Sequence, residues 1–182
     1  MRSAAVQPSG VERTFDDGRL IVSKTDRKGI IRYVNPLFLE ISAFAEEEVI
    51  GKPHNLIRHP AMPRAIFQLL WDRINAGKEL FAYVINLAGD GAHYWVLAHV
   101  TPSFDRNGEI VGYHSNRRTA DRAAILQIER LYAELTAEEA RHSRPAEAIE
   151  ASTALLQQRL SDRGQSYDQF VWFLATTTSG AS

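Results

Sequence analysis

The chemistry of this chain is densest between residues 53 and 63: Pro53, His54, Asn55, Leu56, Ile57, Arg58, His59, Pro60, Ala61, Met62 and Pro63. Two imidazoles and one guanidinium share this run with three prolines. Each proline fixes its own φ and disfavours helix in the residue before it, so His59 and Met62 are expected in extended geometry. A stiff loop of this kind should lead into a helix beginning near Pro63. A permanent cation and an imidazole held beside a helix start suit an anionic or polar ring ligand. The same residues also describe a surface loop made of turn formers, and the segment alone does not separate the two.

A flat ring would need an apolar slot and amide or hydroxyl groups for its polar edge. Phe67 and Trp71 stand four apart on the expected helix, so they share a face that is either one wall of a slot or ordinary core. Asn86 falls in an expected strand, where asparagine is unfavourable, and its amide both donates and accepts. Arg58 could hold a pyrophosphate or clamp the loop to a carboxylate. For His59 the choices are stacking on a base or a structural hydrogen bond inside the loop. His93 and Trp95 alternate on a strand and so point to one face. If that face is concave they line a cavity; if not, they form a docking surface for the C-terminal helices.

Composition removes several classes. The chain has 182 residues, 45% hydrophobic and 24% charged, with a formal net charge of −1. That is a soluble globular composition, with no overall electrostatic draw toward nucleic acid or an anionic membrane. No apolar run is long enough to span a bilayer, and the first ten residues lack the pattern of a secretory signal. There is no cysteine, which rules out disulfides, thiolate metal sites and cysteine nucleophiles and makes the cytoplasm the expected compartment. The six histidines (54, 59, 93, 99, 114 and 142) show no zinc-ligand spacing. No nucleophile elbow, phosphate loop or dinucleotide fingerprint is present, so a non-enzymatic role is expected.

The elements that must position these residues read clearly. Residues 1–17 form an N-terminal arm, flexible or partly docked. Leu20–Asp26 and Ile30–Val34 read as a hairpin joined through Gly29. Asn35 and Pro36 open a short helix, Glu46–Val49 is one helical turn, and Pro63–Asn75 is an amphipathic helix. Strands follow at Leu80–Leu87, His93–Phe104 and Ile110–Arg118. The C-terminal segment 121–175 should hold amphipathic helices over Ala123–Leu135 and Pro145–Leu160, with a charged break over 136–146. Ser166 to Gln169 has capping-box spacing ahead of Phe170–Leu174, and residues 176–182 read as a frayed tail. The expected class is α+β: a five-stranded antiparallel sheet with short helices on one face, over residues 18–120, followed by the helical segment.

This order, together with the run Gly51–Pro63, Trp71, and the run from Asp90 through Gly91, Ala92, His93, Tyr94 and Trp95 to Val96, resembles the PAS domain of the Aer-type aerotaxis receptors. The likeness spans roughly residues 18 to 135. It implies a PAS fold and a non-covalently bound FAD whose redox state is read out as a conformational change. Carried over residue by residue, it implies cofactor-binding roles for Asn35, Arg58, His59, Trp71, Asn86, His93 and Trp95, beside the wall residue Phe67. Two positions depart from the family: Ala61 stands where an acid is common, and Phe81 lies near a usual tryptophan. Without the transmembrane segment and signalling rod of anchored members, the chain resembles the soluble ones. It should then act through a signalling partner, a chemoreceptor or kinase, and as a homodimer. A haem bound through His59 or His99, or a cofactor-free interaction module, are the alternatives.

Overall fold

The computed structural model of the chain describes residues 6–177. Strands β1 (Ile21–Asp26) and β2 (Ile31–Val34) form the expected hairpin. Its turn is fixed by Asp26, whose carboxylate accepts from the N–H groups of Lys28 (2.9 Å) and Ile30 (3.0 Å). Gly29 supplies the positive φ of 75° that this turn requires. Its missing Cβ also matters, because one built there would lie 3.1 Å from the Trp71 ring.

Asn35 then caps α1 (Pro36–Ser42). After α2 (Glu46–Val49) comes a 3₁₀ turn over His54–Ile57, and then α3 (Arg64–Asn75). Pro63 caps α3 rather than opening it. A meander of β3 (Leu80–Leu87), β4 (His93–Phe104) and β5 (Ile110–Thr119) completes one sheet of order β2-β1-β5-β4-β3, antiparallel throughout. The α+β architecture with one five-stranded antiparallel sheet expected from sequence is thus the observed one.

Three helices follow: α4 (Arg122–Glu139), α5 (Pro145–Asp162) and α6 (Tyr167–Thr177). Asp121 caps α4 by accepting from the Ala123 and Ala124 N–H groups. The expected capping box holds as well, since Ser166 and Gln169 exchange hydrogen bonds of 2.8 and 3.2 Å. Two expectations need correction. Helix α4 continues four residues past Leu135, so the charged break shrinks to residues 140–144; the charges there did not signal a stop, because Thr136 bonds back to the Tyr132 carbonyl and Glu139 finds partners in other helices. Residues 176 and 177 are helical rather than frayed, and 178–182 lie outside the described residues. Among the described residues no helix is long and apolar enough to cross a membrane.

Alternation along the strands divides the sheet into two faces, each with its own core. On one face Ile21, Phe38, Ile41, Val49, Ile57, Tyr94 and Val96 pack under α1 and α2. On the other, Tyr83, Ile85, Trp95 and Leu97 pack against Ile125, Ile128, Tyr132 and Leu135 of α4 and Phe170, Val171 and Leu174 of α6. The Tyr132 hydroxyl donates to the Tyr83 carbonyl at 2.5 Å, tying α4 to β3. The described part of the N-terminal arm is docked: Ser9 N–H donates to Gly91 O, His93 N–H to Val11 O, and Arg13 N–H to His93 O.

Candidate functional site

Between α3, the 53–58 segment and the concave face of the sheet lies a cavity of about 240 Å³. Its walls are mostly apolar: Ile57, Phe67, Leu70, Trp71 and Ile74 on one side, Val84, Ala98 and Val100 on the other. Polar groups converge from three strands, with Ser23 and Thr25 from β1, Tyr113, Ser115 and Arg117 from β5, and Asn86 from β3. Strand register makes this so, because Ser115 stands opposite both Ser23 and Val100, and Arg117 opposite both Ile21 and Ala98. Lys28 is exposed at the rim.

Arg117 is the least expected member. It is only 4% exposed, with no carboxylate beside it. One terminal nitrogen, Nη2, donates to Ser23 Oγ (2.8 Å) and to His54 Nε2 (2.6 Å). The other, Nη1, has no partner. Burial pushes its pKa down to about 10, which still leaves a full positive charge at neutral pH. His54 responds in the opposite sense: burial first, and the Arg117 charge second, push its imidazole down to about 3. A neutral His54 accepts at Nε2 from Arg117 and from the Ser23 hydroxyl (3.0 Å), which places its ring proton on Nδ1.

Two more cavity residues leave buried polar atoms without partners, Asn86 Nδ2 and Ser115 Oγ. An unpartnered buried polar atom costs on the order of 1–3 kcal/mol. Three of them around one void describe a surface built to meet the polar edge of a guest. Arg58 closes one side: its guanidinium lies 4.4 Å above the Phe67 ring, and Nη2 donates to the Met62 carbonyl at 3.1 Å. Trp71 is held edge-on to Tyr113 (5.6 Å), whose hydroxyl donates to Asn75 at 2.6 Å.

Of the eight residues singled out in the sequence, the structure brings Arg58, Phe67, Trp71 and Asn86 together at the cavity. The other four do not line it. Asn35 is spent on structure: Oδ1 accepts from Phe38 N–H and Val22 N–H, and Nδ2 donates to the Leu20 carbonyl. His59 turns its Nδ1 to the Ala61 N–H (3.1 Å) and its ring to His93, 5.9 Å away. Trp95 belongs to the outer core against Tyr132 (6.1 Å), since the face it shares with His93 is not the concave one. Sequence reasoning passed over Ser23, His54, Ser115 and Arg117. Strand alternation from Tyr113 through Ser115 to Arg117 was the available signal, but the adjacent Arg118 left open which arginine turns inward.

Comparison with known proteins places this geometry. A family described as the PAS fold matches residues 15–115. The aerotaxis receptor of Escherichia coli (strain K12) is 37% identical over 121 residues, 66% of this chain and 24% of that protein. The nitrogen fixation regulatory protein of Klebsiella pneumoniae is 26% identical over 103 residues, 57% of this chain and 21% of that one. The chain therefore matches less than a quarter of the length of these relatives. Among solved structures, the dark structure of the blue-light photoreceptor Aureochrome1 LOV superposes with a TM-score of 0.52 at 21% identity, covering 63% of this chain and 82% of that one, a likeness of fold.

Proposed function

The chain belongs to the PAS fold family, and from that premise we propose that it is a redox sensor whose concave cavity holds the ring system of a non-covalently bound FAD. The observation that carries this reading is the set of unpartnered atoms on Asn86, Ser115 and Arg117 around an apolar-walled void. At about 240 Å³, the void falls just below the range of roughly 300–1,000 Å³ for drug-sized ligands, which suits a planar ring with the rest of the molecule outside. Phe67 and Trp71 form the ring wall, Asn86 and Ser115 meet the polar edge, and Arg117 faces the part of the ring that carries negative charge. Arg58 and Lys28 offer cations toward a pyrophosphate at the rim. His59, His93, Trp95 and Asn35 then act through the framework rather than by contact.

When bound, a flavin supplies a redox centre whose polar edge exchanges protons and hydrogen bonds as it is reduced. Asn86 is the residue of this chain placed to register that change. Its neighbour Ile85 points to the outer face and packs in the core shared with Trp95 and α4, so a shift at Asn86 passes through one peptide to the helical segment. The partner that reads the segment is a signalling protein, a chemoreceptor or kinase, with homodimer formation as part of the output. The names of two relatives support this, "Aerotaxis receptor" and "Blue-light-activated histidine kinase". A cytoplasmic setting fits the absence of cysteine.

The haem alternative receives less support. Neither His59 nor His99 lines the cavity; His99 is paired with Glu79 at 2.6 Å and stacked on Phe81. His54 lines it instead, with Nε2 already engaged by Arg117 and Ser23.

Absorbance of the purified protein tests the proposal. Expected are flavin bands near ~450 nm that bleach on reduction, and FAD binding at least roughly tenfold weaker in Arg117→Met. Colourless protein that takes up no added FAD overturns it.

A further inference from the structure

The helical segment lies beyond the family-matched residues 15–115, yet it reaches the cavity wall. Glu139, the last residue of α4, turns its carboxylate to the start of α3. Its Oε1 accepts from the N–H groups of Arg64 (2.7 Å) and Ala65 (3.2 Å), and from the hydroxyl of Ser152 in α5 (2.9 Å). Pro63, the residue that precedes α3, offers no side-chain acceptor, so this helix start draws its acceptor and its compensating negative charge from the far end of another helix. Ser152 is fully buried, which ties α5 to the same oxygen. One carboxylate oxygen thus joins three helices.

Helix α3 is also the helix that presents Phe67, Leu70, Trp71 and Ile74 to the cavity. Burial lowers the guanidinium pKa of Arg58, which is stacked over Phe67, and the Glu139 charge offsets part of that lowering. The loop from Pro53 to Pro63 contains no acid of its own. Near the other end of α3, Arg73 pairs with Asp168 of α6 at 3.1 Å. The cavity wall and the helical segment are therefore bolted together at both ends of one helix.

We propose that Glu139 is a positioning residue that makes docking of the α4–α5 joint and occupancy of the cavity a single coupled equilibrium. The identity of the ligand rests on the flavin reading above; the latch itself does not. A guest that orders α3 strengthens the helix start that Glu139 and Ser152 hold, and tightens the docked segment. By linkage, loosening the segment weakens the guest to the same degree. The joint between α4 and α5 is then the part of the surface whose docking reports the state of the cavity.

The test uses the full chain, FAD as probe, and three variants. Glu139→Ala removes charge and acceptor, Glu139→Gln keeps an oxygen and loses the charge, and Ser152→Ala detaches α5 without touching the cavity. In FAD-free protein, Glu139→Ala and Ser152→Ala are expected to speed amide exchange both at Arg64–Ala65 and in α5, by roughly fivefold. FAD binding measured by fluorescence quenching should weaken about fivefold in both, with Glu139→Gln between them and wild type. Loading wild type with FAD should slow exchange in α5. Unchanged FAD affinity in all three variants, with exchange faster only at Arg64–Ala65, would reduce Glu139 to a helix cap and overturn the proposal. If wild type takes up no FAD, the flavin reading falls and the ligand-free comparison decides the latch: Ser152→Ala leaving Arg64–Ala65 exchange unchanged overturns it.

Discussion

The two faces of this sheet are built from neighbouring residues of the same strands, and they are finished in opposite ways. Tyr83, Ile85, Trp95 and Leu97 turn outward into a continuous apolar core with α4 and α6. Val84, Asn86, Ala98 and Val100 turn inward and border a void. Ser23, Asn86, Ser115 and Arg117, four of the buried polar residues, sit on that inner side, and three of them leave an atom unpaired. The outer face is filled by side chains, although Trp95 Nε1 there also lacks a partner; the inner face leaves a void and keeps a cation out of water. Stability and recognition have been assigned to opposite sides of one set of hydrogen bonds, which is where violations of packing rules are expected to mark function.

The strongest way to break this contrast is to attack the outer face and watch the inner one. Phe170 is 1% exposed in the α6 contact with the sheet. Phe170→Ala should lower unfolding free energy by about 3–5 kcal/mol through lost burial and a cavity, read as a shift in the urea midpoint. The spectrum of any bound flavin should keep its peak positions, because the residue lies on the far side of the sheet. A change of peak position at full occupancy would mean that the two faces are not separate.

How much of this division could be read in the sequence depends on which kind of signal each part left. The hairpin, the meander and the helix starts announce themselves locally, through Gly29, Asn35, the Asp90–Gly91 turn and the Ser166–Gln169 box, and all were legible. Phe67 and Trp71 were legible as a shared helical face. The direction of each strand face was not, because β3 and β4 are buried on both sides and their apolar residues do not alternate with polar ones. That is why His93 and Trp95 could be paired but not placed. Arg117 and Glu139 are harder still. Each looks like a surface charge in sequence, and each acquires its role from partners between about 60 and 95 positions away, such as Ser23, His54 and Arg64.

Acid titration sharpens the contrast from the inner side. His54 has its ordinary 6.5 lowered to about 3 in the fold. Above pH 6.5 the imidazole is neutral whether folded or not, and its contribution is complete. As pH falls through the window from 6.5 toward 3, the unfolded chain takes up a proton that the native state refuses, so stability is lost progressively. The loss should reach on the order of 3 kcal/mol by about pH 4. Subtracting the profile of His54→Asn isolates this from the carboxylates that titrate lower down. Superimposable profiles would show that the fold does not hold His54 neutral on the inner face.

The smallest expected effect separates framework from contact. Resemblance to the Aer-type domains assigns Asn35 to the cofactor, whereas its side chain already makes three hydrogen bonds, to Val22, Phe38 and Leu20. A side chain so engaged has little left to offer a ligand, and it does not border the cavity. Asn35→Ala should cost about 1–2 kcal/mol as a lost helix cap and strand tie, while FAD affinity, measured well below the unfolding midpoint, stays within roughly twofold. Asn35→Asp keeps the two acceptor contacts and should recover most of the stability. If instead FAD affinity falls tenfold in Asn35→Ala with the midpoint unmoved, Asn35 touches the guest directly, and the inner face extends past the four strands, the 53–58 segment and α3 that now define it.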